Sequence, residues 1–192
     1  MRAIPVLTIL AAVALVPSAA LADCKSDTNN LLAALDCGFS SGIAGWESGS
    51  AARVSHDAKD GDPHPGSLEV LAPDGSLLVS GPCLAAQPGT TYRFGARFRR
   101  VSGETYVCGP QIHHFADAAC EEPLGHLAAM ADLLETEWQA FDPARRPEAG
   151  PDQGVARTEA ATRAIQLIFA CSGGPGFVVR FDDVFVSARA SG

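Results

Sequence analysis

Between residues 91 and 99 apolar and polar side chains alternate without a break. Tyr92, Phe94, Ala96 and Phe98 fall on one side, and Arg93, Gly95, Arg97 and Arg99 on the other. A period of two is what a half-buried antiparallel strand needs, and it is incompatible with an amphipathic helix. Comparable runs predict strands at 67–71, 76–80, 105–115, 163–171 and 176–188. Turn chemistry separates them: Pro73-Asp74-Gly75, Gln87-Pro88-Gly89-Thr90, residues 101–104, and Ser172-Gly173-Gly174-Pro175. Residues 124–140 depart from this rhythm. Leu127, Met130, Leu133 and Leu134 sit among good helix formers and point to a helix, with a strand over 133–141 as the alternative. Residues 143–151 read as loop. Many short strands with few helices predict an all-β sandwich or jelly roll.

The first 22 residues have the three parts of a secretory signal: Met1-Arg2, an uncharged apolar run over 4–16, and a small-x-small cleavage site at Ala20-Leu21-Ala22. The run is too short for a membrane span, which needs about 20 residues. Leu21-Ala22-Asp23-Cys24 is a poor lipid-attachment site, because Asp23 is neither small nor neutral and modification of Cys24 would leave an odd set of thiols. Residues 23–192 are then one domain. All six cysteines (Cys24, Cys37, Cys83, Cys108, Cys120, Cys171) lie in it, and an even count in an exported chain predicts three disulfides. The expected pairs are Cys24 with Cys37, Cys108 with Cys120, and Cys83 with Cys171. No close cysteine pair of the zinc-binding kind is present. Secreted or periplasmic localisation follows as an expectation.

Charge narrows the partners. Without Arg2 the chain carries 13 basic residues against 22 acidic ones, a net charge near −9. Such a surface repels phosphate backbones and anionic lipid, so nucleic acid and membrane insertion are not expected.

The order of landmarks resembles a known family. Asn30-Leu31-Leu32, expected to open a strand, is followed by Phe39-Ser40-Ser41-Gly42-Ile43-Ala44-Gly45-Trp46. Next come Gly66-Ser67-Leu68-Glu69-Val70, Pro88-Gly89-Thr90-Thr91-Tyr92-Arg93-Phe94 and Trp138-Gln139-Ala140-Phe141, and the series ends on Phe181-Asp182-Asp183-Val184. The set is similar to the galactose-binding-like β-sandwich of carbohydrate-binding modules, families 4 and 9 in particular. That resemblance implies a jelly roll of two antiparallel sheets with the first and last strands adjacent, Trp46 and Trp138 in the core, and carbohydrate as partner. It also implies a structural calcium ion held in part by Asp182. However, Ser40 stands where the family has a glutamate, and calcium takes six to eight oxygens, carboxylates among them.

Sugar recognition needs polar groups for hydroxyls and apolar faces for ring C–H groups. The outward residues Arg97, Arg99, Gln111, His113 and Gln166 are the expected ligand-binding set, provided their strands are neighbours. His113 and His114 must face opposite ways on a strand. Residues 57–62 imitate a calcium loop loosely but lack the closing glutamate of an EF-hand. Catalysis finds no support. Asp182 and Asp183 are expected to face apart, no G-x-S-x-G elbow occurs, and oxidised cysteines leave no thiolate. The expected function is reversible, non-catalytic glycan binding. The alternative is a secreted structural or protein-interaction sandwich that has lost its sugar groove.

Overall fold

A computed structural model describes residues 24–129, 133–141 and 154–189. The signal segment and the loop at 143–151 lie outside them. Eleven strands run through the described residues: β1 Glu47–Ser48, β2 Arg53–Asp57, β3 Ser67–Ala72, β4 Ser76–Ala85, β5 Thr91–Ser102, β6 Thr105–Phe115, β7 Pro123–Ala129, β8 Gln139–Phe141, β9 Val155–Arg157, β10 Ala164–Gly173 and β11 Phe177–Ala188. They form two antiparallel sheets. One has the order β1-β4-β10-β6-β7 and the other β2-β3-β11-β5-β8, with β9 also on β5. No helix among the described residues is long and apolar enough to cross a membrane.

The alternation at 91–99 does what its period requires. Tyr92, Phe94, Ala96 and Phe98 are buried between the sheets, and the arginines face outward. Across the interface Phe169 of β10 stacks on Phe181 of β11 at 3.9 Å, and Trp46 stacks on the other side of Phe169 at 5.2 Å. Burial of each such ring contributes about 1.5–3 kcal/mol, which sets this aromatic column at the centre of the fold.

Three expectations need correction. Residues 124–140 form no helix within their described part: Pro123–Ala129 pairs with β6 and Gln139–Phe141 with β5. Pro123 and Gly125, the latter at φ 130°, suit an irregular edge strand, and pairing with β6 overrides helical propensity. The Asn30 segment gives one bridge to Ser187 and a short 3₁₀ turn in place of a strand. It still lies against the last strand, as the resemblance implied.

The disulfides are the third. Cys24–Cys37 is as expected, but the other pairs are Cys83–Cys120 and Cys108–Cys171. Cys108 and Cys171 face each other in the register of β6 and β10, inside the sandwich. Cys83 lies on the outer side of β4 and takes Cys120 from the loop after β6. Strand register, which spacing does not show, decides both pairings.

Candidate functional site

The five outward residues do not share a face. Arg97 and Arg99 are on β5, whereas Gln111 and His113 are on β6 and Gln166 on β10, in the other sheet. Since both sets point away from the core, the sandwich itself separates them.

The arginine face is closed by the β2–β3 loop. Arg97 pairs with Asp62. Asp60 takes Arg99 and Arg180 on one oxygen, while Trp138 Nε1 reaches its other oxygen at 3.4 Å. Arg180 also binds Asp57 at 2.6 Å and Glu69 through Nε at 2.9 Å. Hence the carboxylates of residues 57–62 serve guanidinium groups. Trp138 is not in the core as the resemblance implied: it lies half-buried with the Arg99 guanidinium 5.5 Å from its ring centre. Cation–π attraction and the Asp60 bond account for that position.

The other sheet carries an open recess. Its strand register aligns His126, His113, Gln166 and Cys83 in one row, and Gln111, Ile168, Ser80 and Glu47 in the next. Ile168 faces outward and stands apart from the hydrophobic core, yet it is only 5% exposed. Its neighbours on the outer face cover it, so it packs beneath them and offers little surface to a ligand. Gln111, His113 and Gln166 stand around it in the register, each half-buried with a polar tip. The loop carrying Cys120 bounds one end through its bond to Cys83. The recess itself is a cavity of about 200 Å³ lined by Gly45, Glu47, Ser80, Pro82 and Gln166.

The polar groups are held in place. Gln166 Nε2 donates to Gly81 O at 2.8 Å, leaving its amide oxygen to accept. His113 Nε2 lies 3.1 Å from Gln111 Oε1. Burial pushes the His113 imidazole below its usual range, and His126 and His114 nearby push the same way, so the neutral ring is favoured. His114 faces inward, buried, with Nδ1 3.1 Å from Thr162 Oγ1, as alternation requires. Sequence reading missed His126, Glu47 and Ser80. His126 sits in the segment read as helical, where Pro123 and Gly125 were the available signs of a strand.

A second cavity, about 210 Å³, is lined by Lys25, Gly38, Ser40, Pro63, His64, Asp182 and Asp183. A register shift in β11 and a φ of 47° at Asp183 turn both carboxylates to this one cavity, correcting the expectation that they face apart. Backbone amides occupy them: Asp62 N (2.6 Å) and Asp183 N (2.7 Å) on Asp182, and Cys24 N (2.6 Å) on Asp183. Burial pushes Asp182 up to about 8, the two amides oppose that, and the Asp183 and Asp62 charges add to it. The donor set does not suit calcium. Ser40 Oγ is engaged by Lys25 at 2.8 Å and by Asp36 Oδ1 at 2.8 Å, and the Lys25 ammonium lines the same cavity. No cluster of three or more His, Cys, Asp or Glu forms among the described residues.

Solved structures share this architecture. The β-1,4-galactotriose complex of TmCBM61 matches with a TM-score of 0.53 at 13% identity, over 83% of this chain and 99% of that one. The fold is that of a carbohydrate-binding-module sandwich. A family 4 module matches at 0.54 and 17% identity (80% and 98% covered), and the CBM22-1 xylan-binding domain from Paenibacillus barcinonensis Xyn10C at 0.54 and 11% (81% and 93%). The enzymatically active domain of a bacteriophage CBA120 tailspike matches at 0.59 and 10% identity, but this chain spans only about a fifth of it (84% and 22%). No protein-family model and no curated protein sequence matches.

Proposed function

We propose that this chain is an exported, non-catalytic module that binds glycan reversibly in the recess on the β4-β10-β6 face. The observation that carries the reading is the cavity lined by Glu47, Ser80, Pro82 and Gln166, with Gln111 and His113 at the adjoining register positions. Pro82 offers sugar C–H groups an apolar contact, and fixed amide and imidazole groups accept or donate to hydroxyls. Neighbours of the same fold bear β-1,4-galactotriose or are called xylan-binding, which favours a β-linked polysaccharide. The three disulfides and the N-terminal signal features support export. The non-catalytic reading rests on the carboxylates: Asp182 and Asp183 hold backbone amides, and Asp57, Asp60, Asp62 and Glu69 hold arginines.

Affinity electrophoresis against galactan, xylan and β-glucan tests this. Retardation by one of them, reduced at least tenfold by Gln111→Ala and by Gln166→Ala, is expected. Loss on Arg97→Ala with Gln111→Ala unchanged would move the ligand to the opposite sheet and overturn the proposal. One observation favours a protein-interaction sandwich instead: Trp46 is in the core and Trp138 is engaged by Arg99 and Asp60, so neither gives the recess a stacking platform. A folded protein retarded by no polysaccharide supports that second reading.

A further inference from the structure

We propose that His113 and His126 form a binding site for a divalent transition-metal ion of the zinc class. The two residues are register partners on the antiparallel strands β6 and β7. Directly opposed residues on one face have β-carbons about 4.5–5.5 Å apart. Their imidazole rings stand 6.3 Å apart, centre to centre, at an interplanar angle of 43°. Zinc–nitrogen bonds are about 2.0–2.1 Å and the geometry is tetrahedral, which places two rings sharing one ion about 5 Å apart, roughly an ångström closer than these stand. Rotation of the exposed His126 side chain closes that distance while His113 keeps its place.

The hydrogen bond to Gln111 fixes the ring chemistry. An amide oxygen only accepts, so the 3.1 Å contact with Gln111 Oε1 puts the His113 proton on Nε2. Nδ1 is left with its lone pair. This is the outer-shell support that metal-bound histidines use: the far N–H donates to an oxygen, which orients the ring and raises its basicity. His126 is exposed on the edge strand, so an ion reaches the pair from solvent. His114 is excluded because its ring points inward to Thr162.

Two imidazoles and no carboxylate select a borderline metal over calcium or magnesium, which prefer oxygen donors. Water completes the coordination, so the site is open and of moderate affinity. The inference stands independently of glycan binding, since it needs only the two rings and Gln111.

Titration calorimetry of the tag-free protein with Zn(II) alone, without polysaccharide, tests it. One saturable equivalent is expected. His126→Ala and His113→Ala should each weaken binding at least tenfold, and Gln111→Ala about tenfold through loss of orientation. His126 is exposed, so its replacement leaves folding intact and keeps the test valid if His113→Ala misfolds. Absence of saturable binding, or unchanged affinity in His126→Ala, overturns the proposal. Failure to bind polysaccharide leaves this result untouched.

Discussion

Asp60, in the loop after β2, accepts a hydrogen bond from Arg180 near the middle of the last long strand, 120 residues further along the chain. Arg99 of β5 binds the same carboxylate oxygen. One loop side chain thus joins two neighbouring strands and, through Trp138 Nε1, the segment before β8. Its removal takes the ion-pair partner from Arg99 and one of three from Arg180, which keeps Asp57 and Glu69; their side-chain exposures are 26% and 12%. Asp60→Ala is expected to lower stability by about 2 kcal/mol, read from urea unfolding. Trp138 emission should shift red as the loop loosens. An unchanged midpoint and spectrum would contradict the strap.

The disulfide pairing can be checked chemically. Non-reducing peptide mapping should recover Cys83 with Cys120 and Cys108 with Cys171. Replacing both Cys83 and Cys120 by Ala opens a loop with a sequence separation of 37 and is expected to cost about 4 kcal/mol. Recovery of Cys108 linked to Cys120 would refute the register of β6 and β10 at that point.

Asp36 should make the N-terminal corner acid-sensitive. Burial works to raise its carboxyl, but hydrogen bonds from the Ser41 hydroxyl and amide, Lys25 and Ser40 outweigh it and hold the group far below its ordinary 3.8. A depressed carboxylate stabilises the fold fully above its unfolded value, and that contribution is lost as pH falls through the folded one. Melting temperature should drop below about pH 4 in the parent. Asp36→Asn should show a flatter acid limb and, at neutral pH, a deficit of about 1–3 kcal/mol. Parallel profiles for the two proteins would count against this.

Calcium should be dispensable. With Ser40 committed to Lys25 and Asp36, and Asp182 to two amides, adding calcium to the EDTA-treated protein should leave the melting temperature unchanged. A fall of several degrees on chelation, reversed by calcium, would show that the Asp182 cavity holds the ion.

Much of the sandwich was legible in the sequence because a half-buried strand writes its period directly. The Tyr92-to-Phe98 row and the 105–115 strand needed only alternation and turns. The recess was half legible: Gln111, His113 and Gln166 are outward by parity, and β6 and β10 are indeed neighbours. That Arg97 and Arg99 belong to the opposite sheet depends on strand order, a long-range property no local pattern encodes. The same holds for Cys108–Cys171. Asp182 and Asp183 defied parity because a single left-handed residue resets it. Trp138 was misplaced because family analogy supplied its position, and the Asp60–Arg99 partnership that governs it is specific to these residues.

Two disulfides brace one sheet: Cys108–Cys171 joins its adjacent strands β6 and β10, and Cys83–Cys120 ties β4 to the loop after β6. The third closes the N-terminal corner. No sulfur bridge spans the gap between the sheets, where Phe169 rests on Phe181. Force applied by a tethered polymer to the β10 face would therefore be shared covalently among its own strands. Transmission to the opposite layer would run through the packed side chains of the core and the connecting loops, with no covalent cross-link between the two sheets.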